Sequence, residues 1–137
     1  MEFDLDLAKE QSKDNPLYYI QYAHARICSV FRKSKIDEDS LSEANLNLLD
    51  SESETEIIKS LGQYPKIIER AANNYEPHLI CYFLRELSAS FHGYYNNEKF
   101  LIEDEELMKS RLFLLKGIKQ VIQNGLRVLG QRAPKEM

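Results

Sequence analysis

One segment of the sequence carries aromatic and basic side chains at the spacing of a helix face. Asn15 followed by Pro16 favours a helix start, and helical spacing continues to about Lys35. At about 100° per residue, one side of this helix collects rings, a hydroxyl and cations: Tyr18, Tyr22, Arg26, Ser29, Arg32 and Lys33. The opposite side carries an apolar stripe of Leu17, Ile20, His24, Ile27 and Phe31.

Rings and cations on a surface of this kind suit a single-stranded nucleic acid. Aromatic rings stack on unpaired bases, and arginine and lysine bind phosphates or stack on base planes. A solvated face whose tyrosines pack on a neighbouring segment explains the same pattern equally well. The face alone leaves both interpretations open.

A second aromatic cluster lies near the end of another predicted helix, at Phe91, His92, Tyr94 and Tyr95. Most rings at such spacing are core residues. Tyr94 fits the inward stripe of its helix, whereas Tyr95 is one residue off the stripe and is free to project.

Two pairs of histidine and cysteine are candidate ligands for a zinc ion. His24 and Cys28 are four residues apart, and His78 and Cys81 are three apart, a set that could in principle provide Cys₂His₂ ligands. His24 lies on the apolar stripe with Cys28 at its edge, however, where such residues are usually buried. We therefore expect His24 in the core, Cys28 beside it, and no metal.

No catalytic constellation is present in the sequence. There is no phosphate-binding or dinucleotide glycine motif, no G-x-S-x-G, and no cysteine in the context of a nucleophile. The acids from Glu103 to Glu106 are explained by the start of a helix, where the helix dipole favours negative charge.

The elements that carry these residues are predicted to be helices throughout, because no long stretch alternates as a strand would. We predict an all-α bundle of about four or five helices. After a short opening helix over Asp4 to Gln11, the expected segments are 16–35, a helix starting with a Ser53–Glu56 capping box, a helix from Glu76-Pro77 to Asn96-Asn97, and one from Asp104 to Gly130. Pro65 is expected to kink or split the second of these, which ends at Asn73-Asn74. A short helical turn is expected around Leu46 to Leu49.

The charge is unevenly distributed along the chain. The net charge of −4 comes from 18 basic and 22 acidic residues, and eight of the acids lie between Asp37 and Glu56, where there is no lysine or arginine. Elsewhere 18 bases stand against 14 acids, which is compatible with a basic surface. The 137 residues suit one domain. No apolar run approaches a membrane span, no signal peptide is visible, and the two cysteines suggest no disulfide framework, so we expect a cytoplasmic protein.

Three ordered blocks cover most of the chain. They are NPLYYIQYAHARICSVFRK (residues 15–33, preceded by FDLDLAKEQSKDNP), EPHLICYFLRELSASFHGYYN (76–96) and SRLFLLKGIKQVIQNGLRVLGQRAPKEM (110–137). Together they resemble the C-terminal anticodon-binding domain, of the DALR type, of arginyl-tRNA synthetases, which are class I enzymes.

The resemblance implies a helical anticodon-binding domain over residues 15–137, with residues 1–14 as a lead-in from the catalytic part and 37–52 as an acidic linker. Family members are several times longer and carry H-I-G-H-type and K-M-S-K-S-type motifs, which do not occur here. We therefore expect a C-terminal fragment with no catalytic residue and no cofactor of its own. The parent enzyme would ligate arginine to its tRNA with ATP and Mg. The expected partners are arginine tRNA and the catalytic domain of the same polypeptide, with no membrane contact, and the expected oligomeric state is a monomer.

Carried over by position, the family's contacts to the anticodon arm fall on Tyr22, Arg26, Arg32, Tyr95 and Met137. The first three lie on the helix face described above. Tyr18, Ser29, Lys33 and Lys99 are further candidates for contact with tRNA. Lys99 stands one turn beyond Tyr95, where some relatives have a second aromatic ring.

Two other functions remain compatible with the sequence. A stand-alone helical protein-interaction domain would keep this fold without an enzyme. A small metal-dependent enzyme would use the His and Cys pairs.

Overall fold

The computed structural model describes residues 15–41 and 44–137. Within these residues the chain forms α1 (Pro16–Ser34), α2 (Glu52–Asn73), α3 (His78–Asn97) and α4 (Glu105–Val128), with 3₁₀ turns at Glu38–Leu41 and Leu46–Leu48. The all-α prediction is confirmed. The predicted opening helix, Asp4 to Gln11, lies outside the described residues.

The first helix begins and ends where the sequence predicts. The Asn15 side chain accepts hydrogen bonds from the backbone N–H groups of Leu17 and Tyr18, at 3.0 and 3.3 Å, and thereby caps the helix. Lys35, at φ 58°, closes its other end. Ile20 and Ile27 are fully buried, and Leu17 is half-buried. The predicted stripe therefore faces the core, and the face with rings and cations points away from it.

The capping box of α2 lies two residues earlier than predicted. Ser51 and Glu54 form it: the Glu54 N–H donates to Ser51 Oγ at 3.2 Å, and the Ser51 N–H donates to Glu54 Oε1 at 3.1 Å. The expected Ser53–Glu56 pair was wrong. In the observed register Glu54 is buried and receives further hydrogen bonds, whereas Glu56 stays exposed. The helix continues through Pro65, so the chain is not split there.

The centre of the bundle is formed by α3 and α4, and both α1 and α2 pack on each of them. A Cβ atom added at Gly125 would lie 2.6 Å from Leu84 Cδ1, so a larger residue there would force the buried Leu84 side chain to move. Tyr94 is fully buried as predicted. Phe83, also predicted inward, is only half-buried and packs on Tyr64.

The described part of the acidic segment packs on α4 rather than standing free. Leu41 and Leu49 are buried, and Glu38 pairs with Lys119 at 2.8 Å. The Lys116 ammonium donates to the Glu38 carbonyl at 3.2 Å. The segment therefore neutralises basic side chains of α4. Across residues 15–41 and 44–137, no helix is long and apolar enough to cross a membrane.

Candidate nucleic-acid interface

The chain turns back sharply after α4 and runs beside α1. Gly130, at φ 73°, takes the left-handed conformation that favours glycine after a helix. Its N–H donates to the Arg127 carbonyl at 3.0 Å, and the Gln131 N–H donates to the Leu126 carbonyl at 2.8 Å. These two bonds form a Schellman motif, which directs residues 131–137, here called the C-terminal tail, away from the α4 axis.

Three side chains of α1 hold the C-terminal tail by its backbone carbonyls. Gln21 Nε2 donates to the Arg132 carbonyl at 3.0 Å. His24 Nδ1 lies 2.7 Å from the Pro134 carbonyl, and Arg32 Nη1 donates to the Lys135 carbonyl at 2.9 Å. The last residues of the chain therefore run along the side of α1, between the buried stripe at His24 and the outward face at Arg32.

The C-terminal tail completes a cavity of about 450 Å³, here called the tail cavity. It is lined by Tyr22, Ala25, Arg26, Ser29, Arg32, Lys33, Tyr95, Glu136 and Met137. The structure thus brings together the five residues carried over by resemblance, with Ser29 and Lys33 between them. Helical geometry predicted the α1 members of this set, but nothing in the spacing of the sequence indicated that Glu136 would join them.

The two remaining candidates line neighbouring hollows. Tyr18 lies in a cavity of about 330 Å³, here called the tyrosine cavity, lined by Tyr18, Tyr19, Tyr22, Arg26 and His92. Lys99 lies in a third hollow that it shares with Lys33 and Tyr95. Neither Tyr18 nor Lys99 lines the tail cavity itself, but each lies next to residues that do.

Arg26 is held by its neighbours and is not the free cation that its place opposite the core suggested. Its Nη1 lies 3.1 Å from His92 Nδ1, and its Cζ lies 3.7 Å from the centroid of the Tyr95 ring. The side chain is half-buried. A guanidinium stacked on an aromatic ring loses little freedom when it makes further contacts, so the site holds a pre-positioned planar cation.

His92 belongs to the site, although its position in the sequence indicated only an aromatic cluster. Because arginine can only donate, His92 Nδ1 must accept from Arg26 and the ring is neutral with its hydrogen on Nε2. Burial and, to a smaller extent, the charge of Arg26 together lower the pKa of His92 to about 4. His92 precedes Tyr95 by three residues on α3, and that helical spacing could have placed both on one face.

We expect stability to fall on acidification because of His92. An unfolded histidine takes up its proton near pH 6.5, whereas folded His92 does so near pH 4. Between these values the unfolded state binds more protons, so the free energy of unfolding decreases as the pH falls through that window, by roughly 2–3 kcal/mol. His24, whose pKa burial also lowers, acts in the same direction.

Urea unfolding at pH 7, 6, 5 and 4 measures this effect, with His92→Asn as the matched variant. The asparagine offers an oxygen in the place of Nδ1 but takes up no proton. The pH slope of that variant should be clearly shallower than that of the unchanged chain. Equal slopes would show that His92 is not held neutral in the fold.

Tyr95 is half-buried rather than projecting freely. Its ring lies 6.0 Å from the Phe91 ring and 6.0 Å from the Phe100 ring, measured between centroids. Arg26 covers one of its faces. The ring and the guanidinium therefore form one planar unit at the wall of the tail cavity.

The predicted positions of His24 and Cys28 are confirmed. His24 is fully buried, Cys28 is 7% exposed, and Cys28 Sγ lies 3.8 Å from His24 Nδ1. Burial raises the pKa of the Cys28 thiol, which keeps it protonated and unreactive at neutral pH. Among residues 15–41 and 44–137, no group of three or more His, Cys, Asp or Glu side chains is placed to hold a metal ion.

Comparison with known proteins adds an independent observation. The family described as "DALR anticodon binding domain" matches residues 20–137, which include every residue that lines the tail cavity. The chain belongs to this family. The DALR match begins inside α1 and extends through the C-terminal tail.

Two relatives from different bacteria share one name. The proteins named "Arginine--tRNA ligase" from Coxiella burnetii and Geobacter metallireducens are 52% and 49% identical over 100% and 98% of the chain. The chain spans about a quarter of their length, 24% and 25%.

Solved structures share the fold. A putative arginyl-tRNA synthetase from Campylobacter jejuni superimposes on the whole DALR domain with a TM-score of 0.89 at 27% identity, over 30% of that chain. The arginyl-tRNA synthetase of Thermus thermophilus gives a TM-score of 0.83 at 28% identity, again over the whole domain and over 24% of that chain.

Proposed function

We propose that this DALR domain recognises the anticodon arm of arginine tRNA, and that it does so as part of an arginine–tRNA ligase. The observation that carries the proposal is the composition of the tail cavity, where a ring, a stacked guanidinium and a flexible apolar side chain meet beside two exposed cations: Tyr95, Arg26, Met137, Arg32 and Lys33. Unpaired bases are bound by stacking on rings and guanidinium planes, with cations for the flanking phosphates.

Each side chain has a role in this proposal. Arg26 presents its planar cation to a base, with Tyr95 and His92 holding it in position. Met137, which is 51% exposed, supplies an apolar wall that adapts to the shape of the base. Tyr22 lies between the two cavities, so it can pack on a base in either.

The polar residues would orient the strand. Arg32 uses Nη1 to hold the Lys135 carbonyl, which leaves its other N–H groups for a phosphate. Lys33 and Lys99 offer point charges, and the Ser29 hydroxyl offers a hydrogen bond in the tail cavity. Tyr18 would pack on a neighbouring base in the tyrosine cavity.

The chemistry of the whole enzyme belongs to the same proposal. Ligation of arginine with ATP and Mg would be carried out by a catalytic domain of the same polypeptide, beyond the quarter of the relatives' length that this chain matches. A monomeric state and a cytoplasmic location accompany the proposal.

A binding titration tests the proposal. The purified chain is titrated with arginine tRNA and with the same tRNA carrying an altered anticodon, at 50 and 200 mM salt. We expect weak binding that prefers the natural anticodon. Because Arg32, Lys33 and Lys99 would neutralise two or three phosphates, affinity should fall roughly tenfold between the two salt concentrations.

The alternative result has a clear meaning. Equal affinity for both tRNAs would contradict recognition of the anticodon. Absence of tRNA binding, together with salt-insensitive capture of a protein, would favour a helical protein-interaction domain instead.

A further inference from the structure

The C-terminal tail has no helix or strand of its own, so its position depends on side chains of α1. Between residues 131 and 137 the chain is irregular, and an irregular backbone loses roughly 1–2 kcal/mol of conformational entropy for each residue that is fixed. The Schellman motif at Gly130 fixes only where the C-terminal tail starts. The hydrogen bonds from Gln21, His24 and Arg32, together with the packing of Ala133 on the core, fix the rest.

The three anchors differ in their access to water. Arg32 is exposed and Gln21 is half-buried, but His24 is fully buried. Water competes for a hydrogen bond at an exposed anchor, whereas a buried anchor is shielded from that competition. His24 is therefore the anchor whose loss costs most.

The geometry identifies which atom of His24 matters. The Pro134 carbonyl can only accept, so Nδ1 must carry the hydrogen of the 2.7 Å bond. Nε2 is buried and has no hydrogen-bond partner among the described residues. The imidazole is thus tied to the C-terminal tail by Nδ1 alone. Pro134 is three residues from Met137, a reach of at most about 10 Å.

We propose that His24 is a positioning residue for the RNA site: its Nδ1 bond to Pro134 fixes the C-terminal tail so that Met137 closes the tail cavity. This inference rests on the proposed function, because it assigns to a core residue an effect on RNA affinity that acts through Met137. Loss of the bond frees the end of the C-terminal tail. Binding of RNA must then order the tail again, and this entropy loss lowers the affinity.

The test compares two amides at position 24 of the full chain. His24→Asn places an N–H donor at the position of Nδ1, whereas His24→Gln extends its amide towards the position of Nε2. We expect His24→Gln to weaken binding of arginine tRNA about tenfold, and His24→Asn to stay within about threefold of the unchanged chain. Removal of Met137 should weaken binding about tenfold as well.

The decisive comparison is made in the background that lacks Met137. If His24 acts by placing Met137, His24→Gln should weaken tRNA binding by less than about twofold in this background. The contribution of Met137 to affinity is then already absent, so the second change has little left to remove. A tenfold cost that persists without Met137 would overturn the proposal. Equal losses for the asparagine and glutamine variants would overturn it too.

A second measurement needs no tRNA and keeps the inference separate from the proposed function. The NMR signal of the Met137 methyl group should move to its random-coil position in His24→Gln, and should stay dispersed in His24→Asn. An unchanged methyl signal in the glutamine variant would overturn the positioning role. If Tyr95→Ala and removal of Met137 both leave tRNA affinity unchanged, the proposed function fails, and with it the claimed effect of His24 on RNA.

Discussion

Replacing Glu54 with alanine is expected to lower the free energy of unfolding by about 3–5 kcal/mol. The carboxylate is 1% exposed and is the acceptor for three donors on different parts of the chain. The Tyr94 hydroxyl donates to it at 2.6 Å, Arg111 Nε at 3.1 Å and the Ser51 N–H at 3.1 Å. Its loss leaves the buried hydroxyl of Tyr94 without its acceptor. It also takes one of three acceptors from the mostly buried cation of Arg111, which keeps Glu98 and the Lys99 carbonyl.

The electrostatics of Glu54 agree with this role. Burial alone would raise its pKa, but hydrogen bonds from Tyr94, Ser51 and Arg111 outweigh burial and leave the pKa below its ordinary value. The charged form is therefore favoured by folding. Its stabilising contribution is present above the unfolded pKa and is lost as the pH falls through the folded one.

Glu56→Ala is the matched control for Glu54→Ala. It removes the same type of side chain from the same helix. Because Glu56 is exposed, the free energy of unfolding should fall by no more than about 0.5 kcal/mol. Urea unfolding of both variants at pH 7 measures the difference. A larger loss of stability for Glu56→Ala than for Glu54→Ala would mean that α2 is capped by Ser53 and Glu56, as the sequence predicted, and not by Ser51 and Glu54.

The register of α2 shows why the sequence alone could not settle the start of that helix. The run Ser51-Glu52-Ser53-Glu54-Thr55-Glu56 contains the capping pattern twice, two residues apart. Local preference is the same for both. The choice depends on Tyr94 and Arg111, which are 40 and 57 residues away along the chain.

In the candidate site, too, the sequence predicted the contacts within one helix but not those between distant parts of the chain. Tyr22, Arg26, Ser29, Arg32 and Lys33 share a face because all belong to one helix, so the spacing predicted their proximity. The contact of Arg26 with His92 joins residues 66 apart, and that of His24 with the C-terminal tail joins residues 110 apart. Pairings of this kind follow from how the helices pack, which no periodicity within one helix contains.

The acidic segment explains how a chain of net charge −4 keeps cations available. Glu38 pairs with Lys119, and Glu54 pairs with Arg111, so two acids of residues 37–56 are engaged with α4. Arg32 and Lys33, on the outward face of α1, remain exposed. The distribution of charge therefore matters more than its sum for an RNA-binding surface.

Replacing Tyr95 with alanine is expected to weaken binding of arginine tRNA by about ten- to a hundredfold. The ring supports the Arg26 guanidinium at 3.7 Å, so its removal takes away both an aromatic surface and the support of a planar cation. Stacking of one base is worth about 1–3 kcal/mol, which corresponds to this range of affinity. Fluorescence titration of the folded variant at low salt measures the change.

Two tyrosine variants separate this effect from a general loss of structure. Tyr95→Phe keeps the ring under Arg26 and should bind within about threefold of the unchanged chain. Tyr75→Ala removes an equally large ring that is 92% exposed near the opposite end of α3, roughly 25 Å away along the helix, and should leave affinity unchanged. Because Tyr95 also packs on Phe91 and Phe100, Tyr95→Ala should cost about 2 kcal/mol of stability, less than a fully buried ring. If Tyr95→Ala lowered stability but the folded fraction bound tRNA like the unchanged chain, the ring would serve only the core, and the tail cavity would not be the anticodon site.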